Sequence, residues 1–114
     1  MIDFYISIFS RVPVLALILL AATSVVSGDY FAKLWSTSLN DTHMILAFIG
    51  YFFSAFFFIP TLLREGLVTT SILWSVLSII GFVIVGLLIF NETLSTIQII
   101  GVVLGIISLL VLSI

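Results

Sequence analysis

The chain has 114 residues, 63% of them hydrophobic and 7% charged, with a mean hydropathy of +1.52 and a net charge of -2, whereas a soluble domain carries about 25% charged residues. So much apolar surface has no water-soluble solution and calls for a bilayer. The absence of cysteine, the single His43 and only three basic residues (Arg11, Lys33, Arg64) exclude disulfide and thiolate frameworks, histidine metal clusters and nucleic-acid binding.

Residues 1–11, MIDFYISIFSR, are apolar but bounded by Asp3 and Arg11, and read as an interfacial lead-in. Pro13 stands where a helix would start, because its missing N–H costs nothing there. A first span is expected over 12–35: no charge occurs from Val12 to Gly28, and Asp29, Lys33 and the interface-type residue Trp35 follow. A cleavable signal peptide is the alternative for this run, since Arg11 precedes it and Ala21 and Ala22 are small, but its length suits a span and nothing after it needs secretion. The polar stretch STSLNDT at 36–42 reads as a loop, the only one with room for anything. Further spans are expected over 44–63, closed by Arg64-Glu65-Gly66, over 67–90, closed by Glu92, and over 95–114, each near the roughly 20 residues a spanning helix needs. The fold class is therefore an all-α membrane protein of four transmembrane helices in one domain. Strands are not expected despite the β-branched and aromatic residues, because helices satisfy their own backbone groups in lipid and barrel-type alternation is missing.

Arg11 and Arg64 fall on one side of the membrane and Lys33 on the other, a two-against-one bias that orients weakly. Both a fixed orientation with the arginines cytoplasmic and insertion in both orientations, which allows an antiparallel dimer, stay open.

Among the charged residues, Asp29 stands out, since a carboxylate within a span usually marks a substrate or proton site. Lys33 lies four residues on, where the two side chains can meet as an ion pair near the interface, the lysine reaching to water. Ser24, Ser27 and Gly28 add a small polar strip that lines a cavity or simply packs. Arg64 and Glu65 read as surface anchors, and Glu92 as a flank of the third helix or a first-turn acid for the fourth. The third helix places Thr69, Thr70, Ser71, Ser75, Ser78 and Trp74 at membrane depth. The hydroxyls can bond within or between helices, and Trp74 is either a face for substrate or a packed core residue. Gly101-x-x-x-Gly105 in the fourth helix is a spacing that lets helices approach closely.

The segment from Trp74 onward resembles the last two helices of the drug/metabolite transporter superfamily, and is most similar to its four-helix small multidrug resistance branch and EamA-type relatives. The resemblance rests on Trp74 in the third helix, the F-x-E-x-L junction Phe90-Asn91-Glu92-Thr93-Leu94, Gln98, Gly101 and Gly105, and Gly28-x-x-x-x-Lys33 at the end of the first helix. It implies half of a dimeric transporter, antiparallel or pseudo-symmetric, with a cavity built by the first three helices, the fourth helix pairing the subunits, and alternating access. Three departures separate it from the multidrug members. Val25 stands where they carry a glutamate, Ser71 where they carry a tyrosine, and Val76 and Ser78 where they carry glycines. Asp29, one turn after Val25, is the candidate displaced carboxylate. Relatives similar to the aminoarabinose undecaprenyl-phosphate flippase subunits also lack the glutamate and keep a polar residue after the first-helix glycine, as Gly28-Asp29 does here.

Three functions follow as expectations. The first is a transporter of a small cationic or amphipathic molecule in which Asp29 binds a proton or a cationic group, with Tyr30, Trp74, Ser27, Ser71 and Ser75 shaping the cavity. The second is a flippase, or flippase subunit, for a polyprenyl-phosphate-linked sugar or another lipid, with Lys33 or Arg64 meeting the phosphate. The third is a membrane assembly protein that pairs with another chain and transports nothing. All three place the chain in a bilayer, with a bacterial cytoplasmic membrane expected, as a homodimer or a heterodimer with a paralogue. No enzyme, metal or cofactor is expected, because no nucleophile–base pair, metal constellation or nucleotide loop is present.

Overall fold

The computed structural model describes residues 2–113, and among these every regular element is helical. Helix α1 spans Ile2–Phe9, α2 Val14–Ser38, α3 Asp41–Phe58, α4 Leu67–Ile84 and α5 Thr96–Ser113. α3 runs on as a 3₁₀ turn over Ile59–Leu63, and α4 as a π turn over Val85–Ile89. Among the described residues, three helical segments, Val14–Ser38, Asp41–Leu63 and Leu67–Ile89, are long and apolar enough to cross a membrane. α5 is apolar too, but its 18 residues rise only about 27 Å against a hydrocarbon core of about 30 Å. At eight residues, α1 is too short to cross.

Helix ends follow local chemistry. Pro13 caps α2, and Leu39, with φ of 54°, ends it by donating its N–H to the Trp35 carbonyl. The side chain of Asn40 then accepts from the Thr42 N–H to start α3. The expected loop at 36–42 is thereby corrected to Leu39 and Asn40 alone. Ser36, Thr37 and Ser38 donate their hydroxyls back to the carbonyls of Lys33 and Leu34, so a polar stretch remains helical. Before α5, Ser95 and Gln98 form a reciprocal capping box: the Gln98 N–H donates to Ser95 Oγ and the Ser95 N–H to Gln98 Oε1.

α2 lies between α3 and α4, and α5 packs on α4. Leu17, Ile18 and Ala21 on α2 are fully buried, backed by Ala47, Ile72 and Val76. α2 and α3 cross at a pair of glycines: a Cβ built on Gly50 would lie 2.8 Å from Gly28 Cα and N. The whole is flattened, 46 × 39 × 16 Å across its Cα atoms. Large apolar side chains such as Phe48, Phe52, Leu88 and Leu104 stand exposed on it, as lipid-facing or partner-facing surface requires.

Pro60 explains how α1 is held. It has no N–H, so the Phe56 carbonyl four residues earlier lacks its helical donor, and Tyr5 supplies one from its phenol. Partial burial raises the Tyr5 pKa above its ordinary value. Around this bond, Phe9 packs edge-on against Tyr5, Phe56 and Phe57, and the Tyr5 ring lies tilted on Phe56. At the other end of α1, Arg64 donates to the carbonyls of Phe9 and Val12. Tyr5→Phe should therefore orphan the Phe56 carbonyl at a cost of about 1–2 kcal/mol. Hydrogen exchange at the α1 amides in bicelles is expected to accelerate about tenfold, and unchanged exchange would refute this role.

Candidate functional site

A cavity of about 400 Å³ lies between α2, α3 and α4 and is partly open, within the range of small-molecule sites. α2 contributes Val25; α3 contributes Tyr51, Ser54, Ala55 and Phe58; α4 contributes Ser71, Trp74 and Ser75. Three of the expected site residues thus share one wall, since 71 and 75 are a turn apart on one face and 74 lies beside them. No lining residue is charged. The Ser71 and Ser75 hydroxyls differ from those of Thr23, Ser24, Thr70 and Ser78, which bond back to carbonyls of their own helices.

Ser54 joins the three helices. Its Oγ donates to the Ala21 carbonyl of α2 at 2.8 Å and accepts the Trp74 Nε1–H of α4 at 3.2 Å. Trp74 also packs on Phe58, with ring centroids 5.8 Å apart. Ser54→Ala should leave the indole N–H unpaired and cost about 1 kcal/mol, the scale of interhelical hydrogen bonds in membranes. With Trp35→Phe as background, it should also shift Trp74 fluorescence; an unchanged spectrum and stability would refute the bridge.

Asp29 lies outside the cavity lining but is tied to it, since the Tyr51 hydroxyl donates to Asp29 Oδ1 at 2.8 Å. The Tyr51 ring sits against Gly28, where a Cβ would fall 2.8 Å from Cδ1 and Cε1 of the ring. Gly28-Asp29 is therefore a socket: the glycine makes room for the ring and the carboxylate takes the hydroxyl. Lys33 pairs not with Asp29 but with Glu92, at 3.7 Å, both side chains being about half exposed. Tyr30 packs on Phe31 and Phe90, and Ser27 donates to the Thr23 carbonyl and lines shallower hollows. Tyr30, Lys33 and Ser27 thus stand apart from the cavity. A Cβ built on Gly101 or Gly105 meets nothing within 4 Å among the described residues, so the space beside these two glycines on α5 is open to them.

Sequence reasoning missed Tyr51, Ser54 and Phe58. The aromatic-rich run YFFSAFFF at 51–58 was the available signal, with Tyr51 and Ser54 its only polar members. A scan against protein-family models finds no match for this chain, and a search of the curated proteins finds none either.

Proposed function

We propose that the chain is one half of a dimeric membrane transporter of the small multidrug resistance type, moving a small cationic or amphipathic molecule by alternating access. Asp29 is the carboxylate that exchanges a proton in this reading. The observation that carries it is the three-helix cavity, walled by aromatic rings and hydroxyls, with Asp29 joined to that wall through Tyr51. Its partial opening supports a dimer, since a second copy could complete the enclosure. So does the open Gly101–Gly105 face of α5, which is taken as the fourth crossing and as the pairing helix. A bacterial cytoplasmic membrane suits a chain of this kind.

The uncharged lining favours a second reading. Val25, at the position of the multidrug glutamate, is on the cavity wall, and a lipid-linked sugar needs no countercharge there. In that flippase reading, Lys33 near the interface meets the phosphate, at the expense of its pairing with Glu92. Proteoliposomes with an imposed pH gradient distinguish the readings. Proton-driven accumulation of a quaternary ammonium dye is the expected result. Polyprenyl-phosphate binding without dye transport would support the flippase, and neither activity would leave an assembly role.

A further inference from the structure

A smaller pocket of about 170 Å³ lies between α2 and α3, bounded by Trp35, Met44, Ala47 and Phe48. Trp35 and Met44 are within a turn of the Leu39–Asn40 connection, so this pocket occupies the loop end of the α2–α3 pair. Tyr51 is the residue common to its lining and to that of the 400 Å³ cavity. Tyr51 thus borders both spaces, its ring seated on Gly28 and held by one hydrogen bond to Asp29.

We propose that Tyr51 is a gate between the central cavity and the loop end of α2–α3, latched shut by the ionised Asp29. This inference rests on the transporter reading and adds to it the route that solute takes and the part that moves. An O–H donated to a carboxylate is charge-assisted and about twice as strong as one donated to a neutral acceptor. Proton uptake by Asp29 converts the carboxylate to a carboxylic acid, weakens the latch and lets the ring rotate out of the glycine notch, joining the two pockets. Tyr51 remains a neutral phenol throughout, and the proton leaves when the latch re-forms. The other ionisable groups on the packed elements are engaged elsewhere or lie at helix ends. Lys33 pairs with Glu92, His43 Nδ1 bonds Ser38 Oγ, Asp41 opens α3 beside it, Tyr30 packs on Phe31 and Phe90, and α4 carries no charge.

The chain contains no cysteine, so a single thiol placed in the cavity reports on access without background. With Ser75→Cys as reporter in nanodiscs, the rate of labelling by a membrane-impermeant methanethiosulfonate is compared among the otherwise unchanged chain, Tyr51→Phe and Asp29→Asn at one pH. Tyr51→Phe keeps the ring and removes the latch, and should raise the rate about tenfold. Asp29→Asn, which still accepts but is uncharged, should raise it by a smaller factor, about threefold. A reporter at Thr42→Cys, beside the loop, should not respond. Equal rates in all three backgrounds would overturn the gate. If dye transport persists while the labelling rates stay equal, the gate fails and the transporter stands. If the rates rise as expected but no substrate is moved, the gate stands and the transporter reading fails.

Discussion

Gly50→Ala is expected to destabilise the protein by about 2 kcal/mol. The added Cβ would lie 2.8 Å from Gly28 Cα and N and 3.0 Å from the Ser24 carbonyl oxygen. All three are backbone atoms of α2, so no side chain can swing away and the helices must separate. Overpacking of this kind costs about 3 kcal/mol at the upper end of its usual range, and alanine's better helix preference returns at most about 1 kcal/mol. Parting α2 from α3 also draws Tyr51, the next residue, away from Asp29, so transport should fall with stability. Gly101→Ala is the control, because nothing among the described residues lies within 4 Å of a Cβ there. Unfolding in bicelles checks both variants, and equal stabilities would show that the glycine crossing is not what holds α2 to α3.

Asp29→Asn is expected to abolish proton-driven transport while leaving the fold intact. Asparagine has nearly the same shape and its Oδ1 can still accept the Tyr51 hydroxyl, so the Gly28–Tyr51 packing survives. What disappears is the ability to take up and release a proton, and with it the coupling. Accumulation of the dye in proteoliposomes should fall at least about tenfold, toward that of protein-free vesicles, for the loss of an essential protonation step. Helical content and elution volume should not change. Transport retained by this variant would remove Asp29 from the mechanism, and transport lost together with the fold would make its role structural.

The helices were legible in the sequence because charge is so costly inside a bilayer that the charge-free runs mark them out. Ser71, Trp74 and Ser75 stood out in the sequence only as hydroxyls and an indole at membrane depth, beside Thr69, Thr70 and Ser78; their place on one cavity wall came with the fold. What depended on the rotation of one helix against another was not legible. The Asp29–Lys33 spacing suggested an ion pair, but the cation found Glu92 beyond the π turn, and the carboxylate found Tyr51, 22 residues away on α3. The Gly28–Gly50 crossing was hidden likewise, because neither glycine announces its partner. The 36–42 stretch was misread for a local reason: three hydroxyls that favour loops in water instead bond back to helix carbonyls.

The most direct test of Asp29 as a coupled carboxylate is proton release from detergent-solubilised protein on adding cationic amphiphiles, comparing the wild type with Asp29→Asn. The transporter reading predicts release on binding by the wild type and none by the variant. Binding without release, or equal release by both proteins, would contradict it and turn attention to lipid substrates.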